Sequence, residues 1–258
     1  MSFEATGSLR LNQYKLNTQN SFNGGTAMGL RDNSKLEQML QEGVDENYAA
    51  IVTYLADHDA PLDYLIAGEL AQIQTFGIPS ISKLLHRTKQ YEEHGVKRLD
   101  DTRAILTECM MESVQSPRGA HMVKHLNWIH SHYEISNDDY LYTLALFIVE
   151  PIRWMESFGY RKLNEKEKTA IYLAFKSLGE AMNIEDIPVS LEAFYIWYHD
   201  YRQQHLNYHE DNKKVTDGLI ESVKDMFPYS FTDDVGSMHG IFVDYWKLWA
   251  KKNNKEMG

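Results

Sequence analysis

Four histidines lie close together between Gly119 and Leu144, and they have the clearest capacity for chemistry in this chain. They are four of its eleven histidines and fall within twelve positions: His121, His125, His130 and His132. Imidazole binds transition metals and haem iron, and it exchanges protons near neutral pH. Whether this stretch forms a metal site, a haem site or an ordinary helix core depends on which side chains face inward.

Apolar residues recur around these histidines with the spacing of one helix face. They are Met122, Leu126, Ile129 and Tyr133. A short break follows, where Ser136 and Asn137 supply side-chain oxygens that can cap a second helix. Asp138 and Asp139 add negative charge to its first turn, which the helix dipole favours. The stretch therefore predicts a helix, a break and a second helix.

The four histidines are divided between two sides of the first predicted helix. At about 100° per residue, three of them share one flank beside Trp128. These three are His121, His125 and His132. His130 falls at the edge of the apolar stripe and is expected to face inward. A histidine there is either a core residue bonded to a neighbour or an axial haem ligand, and spacing alone does not separate the two.

His121 and His125 form an HxxxH pair, which can hold one metal ion from a single helix face. The zinc-protease pattern needs glutamate directly after the first histidine, and Met122 stands there instead. Lys124 also lies between the two histidines. We therefore favour a polar or packing role over a metal site.

The overall composition limits the class of protein. The chain has 258 residues, 43% of them hydrophobic, and a formal net charge of −11. An acidic chain without a basic stripe argues against nucleic acid as a partner. The longest apolar run, residues 144–149, is too short to span a bilayer, and the N-terminus has no secretory signature. Cys109 is the single cysteine, so no intramolecular disulfide forms. We predict a cytoplasmic location and no stable membrane anchor.

Long segments with helical periodicity predict an all-α fold with one helical domain. Residues 1–34 are rich in Asn, Thr, Ser and Gly and are expected to form a partly disordered arm, followed by a helical body over residues 35–258. Helices are predicted at 35–42, 45–56, 61–75, 80–86, 89–115, 138–158, 165–182, 190–201, 212–226 and 235–252. Ser80 is expected to cap a helix, Asn164 and Glu167 to form a capping box, and Pro151 to kink its helix.

Sequence motifs for several other chemistries are missing. There is no glycine-rich phosphate loop, no GxSxG and no CxxC, so phosphoryl transfer, serine hydrolysis and a cysteine zinc site have no support. Arg98, Asp101, Thr102 and Ile105 lie on one side of helix 89–115. Such a set forms either a surface edge with a salt bridge or part of a polar site.

Four segments together resemble the MpaB-type and rubber-oxygenase (latex-clearing protein) haem oxygenases, over roughly residues 60–230. They are KRLDDTRAIL, HLNWIHSHY, ISNDDYLYTLALFIVEPIRWMESFGYRKLNEKEK and WYHDYR. The combination is more specific than any one of the segments. The likeness is closer to the MpaB-type branch. Fungal members of that branch look membrane-anchored at the N-terminus, whereas no such anchor is expected here.

The resemblance implies a globin-like helical fold around one b-type haem, with its iron held by His130. Arg98 and Thr102 match two polar residues of the family's haem pocket. Asp101 stands where rubber oxygenases place a distal lysine, and Asn127 stands where they have arginine. The catalytic glutamate of the rubber oxygenases has no match in this chain, so polyisoprene cleavage is not expected.

The function implied is a haem-dependent oxygenase that activates O₂ at the iron and acts on a small apolar, isoprenoid-like substrate. Arg98, Asp101 and Thr102 are the expected catalytic residues, and Asn127 joins His130, Arg98 and Thr102 in cofactor binding. The Met-rich and aromatic helices are expected to form the substrate wall. The alternative is a non-enzymatic haem protein, either an O₂ or redox sensor or a haem carrier.

A third interpretation is a haem-free helical protein that binds a metal through His121 and His125, or binds nothing. The sequence does not predict the substrate, the reductant or the oligomeric state.

Overall fold

The computed structural model of the chain describes residues 33–111 and 113–226. These residues form ten α-helices and one π-helical turn and contain no β-strand, which confirms the predicted all-α class. In chain order they are α1 (Ser34–Glu42), α2 (Val44–Tyr54), the π turn (Leu55–Asp59), α3 (Pro61–Thr75), α4 (Pro79–Thr88), α5 (Gln90–Met111), α6 (Pro117–His130), α7 (Asn137–Ser157), α8 (Glu165–Ala181), α9 (Leu191–His205) and α10 (Glu210–Met226).

The first of two compact units contains the described residues up to Ala71 and residues 101–204. Helix α7 lies at its centre, because twelve of its residues are buried, among them Leu141, Ile148 and Ile152. Helix α8 packs against both α2 and α7. The apolar run that sequence analysis found at residues 144–149 is thus the middle of a buried helix.

The second unit contains residues 72–100 and the described residues from His205 onward. Helix α4 packs against α10. The buried apolar cluster of the second unit consists of Ile73, Phe76, Tyr91, Leu99, Val215 and Leu219. The rings of Phe76 and Tyr91 meet edge to face, with centroids 5.0 Å apart. This geometry suits the aromatic quadrupole and fixes the start of α5 in the second unit.

Helix α5 is interrupted near its start. The backbone leaves helical geometry at His94, where φ is −139° and ψ is 36°. A Cβ atom at Gly95 would collide with the Ser222 side chain, and one at Gly218 would lie 2.7 Å from the carbonyl oxygen of Tyr91. Glycine at both positions therefore allows α5 and α10 to approach backbone to backbone.

Local signals in the sequence gave several helix starts correctly. The Asn164 side chain accepts a hydrogen bond from the Glu167 amide at 3.0 Å, and the Glu167 carboxylate accepts one from the Asn164 amide at 2.7 Å. This confirms the capping box. Ser136 caps α7 by accepting from the Asp139 amide at 3.1 Å. Ser190 does the same for α9 with the Ala193 amide.

Other local predictions were wrong. Ser80 does not cap α4, because the helix begins at Pro79 and Ile78 occupies the cap position. Proline suits the first helical position, where its missing N–H costs nothing. Helix α7 continues through the buried Pro151 as a single element, and the kink expected there stays a prediction. Helix 89–115 ends earlier, at Met111. The predicted helix 235–252 and most of the predicted arm lie outside the described residues, so the division into an arm and one body stays a prediction.

Gly218→Ala should destabilise the protein. The added methyl group would meet backbone atoms of Tyr91, which cannot rotate away as a side chain can. We expect a loss of about 2 kcal/mol in the free energy of unfolding, measured by urea denaturation.

Gly68→Ala is the matched control, because a Cβ at this helical position meets nothing within 4 Å. It should stabilise the protein by about 0.5 kcal/mol or more, as alanine favours the helix over glycine. Equal effects of the two substitutions would contradict the close helix crossing.

Candidate functional site

His130 is the last residue of α6, and its surroundings belong to the first unit. Helix α6 begins after Ser116, whose hydroxyl accepts a hydrogen bond from the Gly119 amide at 3.0 Å. The His130 side chain is half-buried, and its Nδ1 atom is buried. The ring packs against Tyr140, with centroids 5.3 Å apart and planes tilted by 54°. The predicted inward orientation of His130 agrees with this placement.

The ISNDD motif fixes the start of α7, which carries Tyr140. Asn137 binds the backbone of Glu185 twice: its amide nitrogen donates to the carbonyl at 3.1 Å, and its oxygen accepts from the amide at 2.8 Å. Asp139 accepts a hydrogen bond from the Tyr201 hydroxyl at 3.0 Å. With Ser136 as the cap, these contacts hold the segment that packs on His130.

Asn127 has a structural contact. Its side-chain amide donates to the carbonyl oxygen of Ala181 at 3.1 Å and so ties α6 to the C-terminal end of α8. A free helix C-terminus has carbonyl groups without helical partners, and a side-chain donor satisfies one of them. The cofactor-binding role expected for Asn127 stays a prediction, and one amide donor is already used.

The other three histidines lie on the exposed side of α6 or just after it, as the helical angles predicted. Trp128 is 60% exposed. Its indole stacks on His125 with centroids 5.8 Å apart and meets His132 edge to face at 4.7 Å. His121 is exposed one turn earlier. Among the described residues, no group of three or more His, Cys, Asp or Glu side chains is arranged to hold a metal ion.

The three polar residues expected at the haem pocket all lie on α5, but in different units. Arg98 belongs to the second unit, where its guanidinium lies 5.3 Å from the ring centroid of Tyr91. Asp101 and Thr102 belong to the first unit, with Asp101 exposed and Thr102 half-buried. That these residues line one pocket with His130 stays a prediction.

Sequence reasoning gave no role to an ion network in which the half-buried Arg161 binds two buried carboxylates, Asp59 and Glu167. The guanidinium binds the Asp59 carboxylate through Nε and Nη2 at 3.1 and 2.7 Å. It also binds the Glu167 carboxylate through Nη1 and Nη2 at 2.9 and 2.7 Å. The Tyr160 hydroxyl donates to Asp59. The hydrogen bonds that the Arg161 guanidinium donates to Glu167 raise the pKa of Arg161. The network joins the π turn to the start of α8.

A second network joins α7 to α9. The Tyr198 hydroxyl of α9 donates to the buried Glu150 carboxylate of α7 at 3.5 Å. Arg153 binds the same carboxylate at 2.9 Å, and Arg202 donates to the Tyr198 hydroxyl at 2.5 Å. Burial raises the pKa of Tyr198, so its hydroxyl stays protonated and can donate a hydrogen bond. Tyr142 stacks on the Tyr198 ring, with planes 9° apart. The motifs EPIRW and WYHDYR, which carried the family resemblance, thus have a structural role: they hold α7 and α9 together in the first unit.

One signal in the sequence pointed to these networks. Glu150 directly follows the apolar run of α7, and a carboxylate at such a buried position needs a partner. Arg153 is a local partner three positions further on, but the partner on α9 was not readable, because Tyr198 lies 48 positions further along the chain.

Arg161→Ala should strongly destabilise the fold. Its removal leaves Asp59 and Glu167 buried without their counter-ion, so we expect a loss of about 3 kcal/mol or more in the free energy of unfolding. The matched control is Arg118→Ala, which breaks the more exposed ion pair with Glu108. That change should cost less than about 1 kcal/mol by urea denaturation. Similar losses in both variants would contradict a supporting role for the network.

The described part of the chain is thus all-helical, and in its first unit one histidine of α6 packs inward against Tyr140. A family model described as "ER-bound oxygenase mpaB/B'/Rubber oxygenase, catalytic domain" matches residues 73–236. The match covers more than half of the chain, and the chain belongs to this family.

Relatives named as oxygenases agree with this assignment. The chain is 34% identical over 198 residues to the ER-bound oxygenase mpaB of Penicillium brevicompactum, covering 70% of this chain and 50% of the relative. The mpaB' protein of the same fungus is also 34% identical, with 47% of its length covered. The mpaB protein of Penicillium roqueforti (strain FM164) is 38% identical over 146 residues, 54% of this chain and 49% of the relative. The chain spans about half the length of these relatives.

The relatives are named as bound to the endoplasmic reticulum, which makes membrane segments relevant. Among the helices of the described residues, none combines the length and the apolar character needed to cross a bilayer.

Proposed function

We propose that this chain is a b-type haem-dependent oxygenase that acts on an apolar, isoprenoid-like substrate, with its iron held by His130. The observation that carries the proposal is the placement of His130. Its Nδ1 atom is buried and its ring packs on Tyr140, whereas His121, His125 and His132 are exposed. Membership of an oxygenase family supports the reaction class.

The donor set of the site fits a haem. Haem iron takes four ligands from the porphyrin and needs only one or two from the protein, for which a single imidazole suffices. In metal sites the second ring nitrogen of a ligating histidine usually donates to a carboxylate, a carbonyl or a water molecule. The buried Nδ1 of His130 is the nitrogen that would take this second position. The residues present are therefore suitable for a histidine-ligated haem.

Each protein residue has a defined task in this proposal. His130 would hold the iron through one imidazole nitrogen, and Tyr140 restricts the rotation of that imidazole by packing on it. Arg98 and Thr102 would bind the polar edge of the cofactor, and Asp101 would accept a proton or bind a water molecule near the oxygen site. A bound haem supplies an iron centre that binds and activates O₂.

Some aromatic side chains of helix α9 pack in the core, and others are accessible enough to contact a substrate. Phe194 and Tyr198 are fully buried, so they belong to the core of the first unit. Tyr195 and Trp197 are half-buried, and burial raises the pKa of Tyr195 to about 12, which keeps its hydroxyl neutral. We assign contact with an apolar substrate to such half-buried rings, because neutral aromatic surface binds apolar ligands.

His130→Ala should abolish haem binding. Removing the only imidazole assigned to the iron leaves the cofactor without its protein ligand, so the Soret band of the purified protein should be lost. The matched control is His132→Ala, two positions away and exposed. It should keep the Soret band at wild-type intensity. Full haem content in the His130 variant would contradict the proposal.

Asp101→Ala should keep the haem but alter oxygen chemistry. We expect the rate at which the dithionite-reduced protein is reoxidised by air to change by about tenfold or more, since a carboxylate in proton transfer has effects of at least this size. Asp45→Ala, at another exposed position of the first unit, is the control and should leave this rate unchanged. Identical rates in the wild type and the Asp101 variant would remove Asp101 from the mechanism.

A further inference from the structure

The exposed side of α6 carries a strip of basic and aromatic residues in an otherwise acidic chain. The α6 strip consists of His121, Lys124, His125, Trp128 and His132, all exposed. At about 100° per residue, its four helical members fall within one third of the helix circumference. The formal charge of −11 counts histidine as neutral, so the charge count in the sequence analysis did not show this strip.

The strip is free of acidic residues along its own segment. No Asp or Glu occurs between Ser113 and Tyr133, and the exposed Glu134 is the first to follow. From the neighbouring helix α5, Glu108 comes to the edge of the strip, where it pairs with Arg118 one turn before His121. At physiological ionic strength, exposed charges more than about 8 Å away are largely screened. The local character of the strip, rather than the net charge of the chain, therefore decides what can approach it.

Trp128 is the apolar centre of the strip. Its indole is 60% exposed, and Tyr133 at the end of the segment is 41% exposed. His125 and His132 contact the indole on two sides. His132 Nδ1 lies 2.7 Å from the carbonyl oxygen of Trp128, so this nitrogen donates and holds the ring beside the indole.

We propose that the α6 strip docks the protein onto the surface of an anionic lipid bilayer. Tryptophan and tyrosine are enriched at the level of the lipid headgroups, and basic side chains near them are attracted to anionic lipids. The exposed aromatic rings favour a bilayer over an acidic protein surface, because they would enter the headgroup layer. Docking of this kind needs no membrane-spanning helix.

The docking surface lies on the side of α6 opposite to the side that presents His130. One helix would thus hold the proposed cofactor on its inner face and the membrane on its outer face. An apolar substrate partitions into bilayers, so binding there would bring the enzyme to its substrate. This benefit rests on the proposed function, whereas docking itself does not require haem.

Vesicle sedimentation of the full-length chain tests the proposal. The probes are phosphatidylcholine vesicles with and without about one third phosphatidylserine, in mildly acidic buffer of physiological ionic strength. Histidines in general gain charge at this pH, and the remote acidic residues are screened at this ionic strength. The wild type should sediment with the anionic vesicles and stay in solution with the neutral ones. The double variant Lys124→Glu, Trp128→Ala should bind the anionic vesicles about tenfold more weakly.

The matched control is the double variant Lys83→Glu, Phe158→Ala. It makes the same charge change at an exposed lysine of α4 and removes a ring that is 59% exposed after α7. Its binding should stay within about twofold of wild type. Failure of the wild type to bind anionic vesicles, as expected for a strip that binds an acidic protein instead, would overturn the proposal. So would equal losses in the two double variants. Either failure leaves the assignment of His130 intact, because the Soret measurement is independent of lipid.

Discussion

The half-buried guanidinium of Arg161 is the constraint on which the first unit most depends. It neutralises two carboxylates, Asp59 and Glu167, that lie 108 positions apart in the sequence. A buried ion of this kind costs free energy when it is unpaired, so the fold is stable only when all three groups meet. The π turn and the start of α8 are thereby locked together, and α8 in turn packs on α2 and α7.

From this frame the position of His130 follows in three steps. Helix α8 supplies at its C-terminal end the carbonyl of Ala181 that Asn127 binds, which fixes α6. The segment after α8 supplies the Glu185 backbone that Asn137 binds, which fixes the start of α7. Helix α7 then places Tyr140 against the imidazole. Most residues of the family motifs therefore have a structural role, which is to orient the His130 imidazole. Only a few of them are expected to contact a cofactor.

How much the sequence predicted depends on the range of each interaction. Periodicity and capping are local, and they correctly gave the all-α class, the capping box at Asn164 and the opposite orientation of His130 and Trp128 on α6. The networks of Arg161 and Arg202 join residues from distant helices, and no local pattern encodes such a meeting. The break of α5 at His94 also escaped prediction, since it accompanies a close approach of α10 at Gly95. The role of His130 as a haem ligand came from family resemblance, because spacing does not distinguish a ligand from a core histidine.

The central claim is that this frame orients His130 for an iron porphyrin. The most direct measurement is the haem content of the wild-type protein, expressed with a haem precursor and quantified by its pyridine haemochrome spectrum. The claim predicts one b-type haem per chain, with a Soret band in the native protein. A folded, helical protein that is colourless under these conditions, with no haemochrome signal, would contradict it.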